Sequence, residues 1–189
     1  MTDLTMPRAR EILAKHVTKE HLLTHSLAVS AAMGALAAHF NADVEHWQAI
    51  GYLHDVDYEK FPEQHCGHVA ELLAGEGVAD ADIRAIISHG WGICSDVEPL
   101  SELERSLFTV DELTGIVSAC ALMRPTGISD MEVKSVKKKF RDHRFAAGCN
   151  RDIIQKGCDM LGMELGEVIE LTIAGMREQS GALGLGPKE

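Results

Sequence analysis

Four side chains of the kinds that bind protons and divalent ions fall where packing should dominate. His54 and Asp55 stand side by side in YLHDVDYEK, at the end of an apolar run, with Asp57 and Glu59 close behind. His25 shares a helical face with Leu22, Ser26, Val29, Met33 and Leu36, and Asp111 follows Leu107 by four residues, inside an apolar stripe. An unpaired aspartate or an unsatisfied imidazole on a packed face costs about one to several kcal/mol. A divalent ion removes that cost for both groups, because it binds neutral imidazole nitrogen and ionised carboxylate oxygen together. Such a donor set suits manganese, iron, cobalt, nickel or zinc, bound as one or two ions, and leaves positions open for water. A water so held has its pKa lowered from 15.7 toward about 7 and serves as hydroxide at neutral pH, for which attack on phosphorus is a natural use.

The elements that must position these groups read as helices almost throughout, so the expected fold is all-α with the site in the core. Thr18 is placed to cap a helix running to about Phe40. After a turn at Asn41, a second helix presents Trp47, Ile50 and Leu53 inward, and His54 follows Ile50 by four. HCGHVAELLAGEG reads as a third helix closed by Gly75 and Gly77. A fourth begins at Asp80, carries Ile83, Ile86 and Ile87, and ends at His89-Gly90. Ser101 and Glu104 form a capping box that opens a long fifth helix ending at Arg124-Pro125, and Ser129 with Glu132 forms a second box before a lysine-rich segment. Further helices run from about Asn150 to Met176. Residues 1–180 are expected to form one domain, and 181–189 a flexible C-terminal tail.

The chain has 189 residues, enough for one domain with a sizeable core. Its net charge of −11 opposes binding to nucleic acid or to an anionic membrane, both polyanions. No run of eighteen consecutive apolar residues occurs, and MTDLTMPRAREILAKH carries charge where a signal peptide is apolar, so a cytoplasmic location is expected. The five cysteines show no C-x-x-C spacing, which speaks against a disulfide framework or a thiolate zinc site; Cys66, between two histidines, remains an accessory soft ligand at most. G-x-S-x-G, H-E-x-x-H and Walker motifs are absent from the sequence.

The order His25, His54-Asp55, Asp111 resembles the H…HD…D signature of the HD-domain superfamily of metal-dependent phosphohydrolases. The resemblance continues through HDVDYEKFPEQH, SHG, DELTG, RP, VKSVKKKF and FAAGCNRD, over roughly residues 20 to 155, and is similar to the pattern of a bacterial subgroup. It implies an all-α fold whose four ligands come from helices packed around the ion. It also implies, for members with two ions, a second pair of histidines, which by position are His65 and His89, with Asp55 bridging. His68, three residues after His65, is a rival for the same role, and His21, four before His25, has a metal-compatible spacing as well. Many relatives read H-D-I-G where this chain has Asp57 in place of the glycine, which bears on the loop beneath the metal and on which ester can approach.

On this reading Asp55 and Asp57 are the catalytic carboxylates; Asp57 or Glu59 orients water or protonates a leaving group. Lys134, Lys137 and Lys138 share one helical face in KSVKKKFRDHR and are expected to meet substrate phosphate, with Lys60 and Arg124 as further candidates. The expected activity is hydrolysis of a phosphate ester of a nucleotide or another small phosphorylated metabolite. A di-iron oxygenase of the same fold and a non-catalytic metal or nucleotide sensor are the alternatives, and a homo-oligomer is compatible with either.

Overall fold

A computed structural model describes residues 4–188. Among these the chain forms nine α-helices and no strand; an isolated bridge between Trp91 and Ser95 is the only β pairing. The all-α expectation holds. In order the helices are α1 Met6–Leu13, α2 Glu20–His39, α3 Val44–Leu53, α4 Val69–Gly75, α5 Asp80–Ser88, α6 Glu102–Leu122, α7 Val133–Phe140, α8 Arg151–Leu161 and α9 Leu165–Glu178, with a short 3₁₀ turn at Pro62–Gln64 before α4.

Two long helices carry the architecture. α2 packs against α3, α6 and α9, and buries residues on nearly every side, including Val29, Met33, Leu36 and Ala37. It is long and apolar enough to cross a bilayer by composition alone, but more than half of its most apolar window is buried inside the fold, as in the core helix of a packed domain. α6 packs on α2, α5, α7, α8 and α9, and buries Leu107, Phe108, Leu113, Ile116 and Val117. Each such side chain, fully buried, contributes about 1.5–3 kcal/mol. Close approach is bought with small residues: a Cβ on Gly175 of α9 would strike the backbone oxygen of Ala31 in α2, so alanine there would force these two helices apart.

Local chemistry fixes the ends. Ser101 and Glu104 form the expected capping box, with Ser101 accepting from the N–H of Glu104 and Glu104 accepting from that of Ser101. Asp43 caps α3, and Asn150 caps α8 by accepting from the N–H groups of Asp152 and Ile153. α8 closes on Gly162 at φ 66°, the left-handed conformation glycine adopts without strain.

Four local expectations are corrected. Thr18 does not cap α2; its hydroxyl and N–H donate to Glu59, and the helix begins one residue after Lys19. The second capping box does not form, because Ser129 lies in a turn bonded to Thr126 and α7 starts from Glu132 without a side-chain cap. The third helix begins at Val69 and not at His65, since Cys66 sits at φ 67° and breaks the helical path. The described part of the closing segment, 181–188, is docked: Leu183 and Leu185 are buried, the N–H of Ile128 donates to Leu185 O, and the Lys188 ammonium donates to Leu122 O.

Candidate metal centre

Five segments converge on one cleft. α2 delivers His25, the end of α3 delivers His54 and Asp55, the turn before α4 delivers His65, the end of α5 delivers His89, and α6 delivers Asp111. Helices bring these groups together because each lies on, or just beyond, the buried face of its helix, where the side-chain direction is set by the apolar neighbours.

The groups form two clusters that share Asp55. In the first, His25 Nε2 stands 3.1 Å from His54 Nε2 and 3.0 Å from Asp111 Oδ1, while His54 Nε2 lies 3.3 Å from Asp111 Oδ1 and 3.4 Å from Asp55 Oδ1. In the second, His65 Nε2 and His89 Nε2 are 3.0 Å apart and lie 3.3 and 3.6 Å from the same Asp55 Oδ1. Donor atoms about 2.0–2.2 Å from one ion, at tetrahedral or octahedral angles, stand about 2.8–3.6 Å from each other. Both clusters have that spacing.

The second cluster carries a stronger constraint. His89 Nδ1 faces the Ile86 carbonyl oxygen, which only accepts, so that nitrogen bears the hydrogen. His65 Nδ1 faces Asp57 Oδ1 at 2.9 Å, and a carboxylate likewise accepts. In the neutral rings both Nε2 atoms are then acceptors 3.0 Å apart, and a proton or a metal ion between them removes the repulsion. His54 is prepared in the same way, its Nδ1 donating to Gly51 O at 2.8 Å. The residues present thus fit a divalent ion in each cluster.

Electrostatics agrees. Burial opposes charge on His54, yet Asp55 and Asp111 outweigh it and hold its ring well above the ordinary histidine value. Burial likewise opposes charge on His65, and the Asp57 hydrogen bond with the Asp55 charge raises it. His89 is pushed down by burial and by the neighbouring histidines His54 and His65. Burial opposes the ionised form of Asp111, but His54 and His25 hold it well below the usual carboxylate range. The cleft therefore attracts cationic charge between its carboxylates.

The other expected site residues are placed differently. Asp57 is fully buried; its carboxylate accepts from His65 Nδ1 through Oδ1 and from the His68 N–H through Oδ2, so it orients a histidine and does not face the cleft. Glu59 is committed to the N–H groups of Thr18 and Lys19 at the start of α2. His68 loses its rivalry with His65: it stacks on Phe61 and its Nε2 meets Gln64 Oε1. Lys60 turns to Lys15 O and His16. Lys134 pairs with Glu132, Lys137 lies against Gly166, Lys138 is exposed on α7, and Arg124 pairs with Asp130. None of these basic residues lines the cleft.

The cleft has a volume of 540 Å³, within the range of small-molecule sites. Beyond the clustered groups it is lined by His21, Leu22, Tyr58, Ile93, Cys94, Glu112, Gly148, Cys149 and Ile153, and by no lysine or arginine. Glu112 accepts from the Asn150 N–H, and burial with the adjacent Asp111 charge raises its carboxyl. Cys94 meets Cys66 sulfur to sulfur at 3.0 Å; that hydrogen bond draws the Cys94 thiol down to about 7 and pushes Cys66 up. The wall at Gly148–Cys149 is held by Arg151, a buried guanidinium donating to the carbonyl oxygens of Phe140, Asp142, Phe145, Ala146 and Cys149. Tyr58, Ile93, Cys94, Gly148 and Cys149 lie in irregular segments, where no hydrophobic period marks direction, so sequence patterning gave no signal for them.

No curated protein and no solved structure matches the chain. Residues 22–115 match the family model of the HD domain, a span that contains His25, His54, Asp55, His65, His89 and Asp111. The segment that gathers both clusters is thus the matched segment, and the chain belongs to the HD-domain superfamily, that of the metal-dependent phosphohydrolases.

Proposed function

We propose that this protein hydrolyses a phosphate monoester of a small molecule, with a divalent ion in each cluster. The observation that carries the reading is the pair of Nε2 atoms of His65 and His89, 3.0 Å apart and set beside a carboxylate that the first cluster also uses. Bound divalent ions would supply a water of lowered pKa and positive charge beside the phosphoryl oxygens. His25, His54 and Asp111 would hold one ion and His65 and His89 the other, with Asp55 within reach of both. Asp57 fixes the tautomer and tilt of His65 from behind, as the carbonyls of Gly51 and Ile86 do for His54 and His89.

The cleft lining supports a substrate with a single phosphate. Further phosphates would meet no lysine or arginine and would face Glu112, whereas an uncharged organic group meets Leu22, Tyr58, Ile93 and Ile153. A nucleoside monophosphate or a similarly sized ester fits that description. Glu112, the cleft carboxyl outside both clusters, takes the role of proton donor to the departing oxygen that Asp57 cannot fill.

The test is metal analysis of the protein as isolated, followed by phosphate release from monoesters, diesters and nucleoside triphosphates with Mn²⁺. Monoester hydrolysis that disappears in Asp55→Ala is expected. Activity that survives Asp55→Ala overturns the mechanism, and oxygen consumption by iron-loaded protein without phosphate release replaces it with an oxygenase.

A further inference from the structure

We propose that Cys66 and Cys94 are a modification site: a peroxide joins them in a reversible disulfide, and the new bond withdraws His65 from its cluster. Their sulfurs are 3.0 Å apart, about 1 Å from the covalent S–S length of about 2.05 Å. Among the described residues they are the cysteines whose sulfurs meet. Both sulfurs lie over the α-carbon of Gly90, where a Cβ would collide with each, so the pair sits in a space left by a missing side chain.

The two thiols differ in access. Cys94 lines the cleft and is reachable by a small oxidant, whereas Cys66 is buried beneath it. This is the arrangement of an attacked and a resolving cysteine. The Cys94 thiolate attacks one peroxide oxygen, the O–O bond breaks, and a sulfenic acid and hydroxide result. The Cys66 sulfur then attacks the Cys94 sulfur, the S–O bond breaks, and water leaves. In balance, two thiols and one H₂O₂ give one disulfide and two waters; the sulfurs lose two electrons and the peroxide gains them.

The consequence follows from chain connectivity. Cys66 is bonded directly to His65, its backbone is already in the left-handed region at φ 67°, and its sulfur lies within 4.8 Å of ligating atoms on His65 and His89. Drawing Cys66 toward Cys94 moves the residue on which the second cluster depends, while His25, His54 and Asp111 lie on other elements. This half of the inference rests on the proposed metal reading; disulfide formation itself does not.

The experiment uses the full chain, freed of metal, treated with H₂O₂, then cleared of peroxide and divided. One part is digested without reductant and mapped by mass; a peptide linking Cys66 to Cys94, short of two hydrogens, restored by dithiothreitol and absent in Cys94→Ser and in Cys66→Ser, is expected. The other part is titrated with Mn²⁺ by calorimetry; the weaker equivalent is expected to lose roughly tenfold or more in affinity, and the tighter one to be unchanged. No linked peptide, or Cys94 carried to sulfinic acid with Cys66 still free, overturns the disulfide. A linked peptide with both Mn²⁺ equivalents unaltered overturns its effect on His65. Mapping needs neither ester nor metal, so a protein that releases no phosphate still decides it.

Discussion

Asp57→Asn is the perturbation whose consequences the structure defines best. The native carboxylate is fully buried and uses one oxygen for each of two N–H donors, His65 Nδ1 at 2.9 Å and the His68 backbone at 3.2 Å. Asparagine has the same shape but only one oxygen. If it serves His65, its NH₂ group faces the His68 N–H, donor against donor; if it serves His68, its NH₂ can donate to His65 Nδ1 only when that ring moves its hydrogen to Nε2, the atom a metal needs bare. With His65 kept in its metal-binding tautomer one buried donor is left unpaired, at a cost of about 1–3 kcal/mol. For a chain of this length that lowers Tm by about 2–4 °C per kcal/mol, and so by about 2–12 °C in total. Loss of a carboxylate behind a ligating histidine also weakens metal binding by about 10- to 100-fold. That loss should fall on the weaker of two Mn²⁺ equivalents in a calorimetric titration, because Asp57 touches His65 and no member of the first cluster. Circular dichroism melts of the metal-free protein, where the His65 ring is free to switch tautomer, should show a smaller drop than melts of the metal-loaded protein. A variant that melts at a lower temperature yet binds both Mn²⁺ equivalents as before would refute the role of Asp57 as the support of His65.

Three further outcomes are expected. Alanine at Lys60, Lys134, Lys137 or Lys138 should leave kcat/KM for a phosphomonoester within about twofold, since these side chains point away from the cleft and surface charges that distant are screened. Glu112→Gln should lower kcat by about 10²–10⁴-fold for an alkyl phosphate and far less for a nitrophenyl phosphate, whose departing oxygen needs no proton; equal loss on both esters would remove Glu112 from that role. Glu104→Ala should cost about 1–2 kcal/mol at neutral pH by leaving the N–H groups of Leu100 and Ser101 without their acceptor, while Ser101 still caps α6. Burial opposes the Glu104 charge, but the N–H groups of Ser101 and Leu100 and the Arg84 guanidinium hold its carboxyl below the ordinary value. Its contribution is therefore present above the unfolded pKa of about 4.3 and lost as pH falls through the folded one, so the stability gap between wild type and variant should close on acidification.

The sequence revealed the first cluster because His25, His54 and Asp111 sit on helices, and a 3.6-residue period shows which way a helical side chain points. It could not choose between His65 and His68 for a physical reason: both were read on one helix, whereas the left-handed turn at Cys66 separates them and sends them to different partners. The lysine-rich segment misled because clustering of charge shows that a helix face is solvated and not what it faces; α7 packs on α6 and α9 with its lysines outside the cleft. Leu183 and Leu185, two apart among glycines, have no helical spacing, so their burial had no periodic signature. The departure at Asp57 was visible as a change of residue type, but only its two hydrogen bonds show that it faces a histidine and not a substrate.

Arg151 lies outside the matched segment, and one charged group there gathers the carbonyls of a loop with no regular structure of its own. One wall of the cleft thus has a keystone far along the chain from the two clusters. On the proposed function, selectivity for the organic part of a substrate would be retuned by changes between residues 140 and 153, with the segment that carries both clusters left as it is.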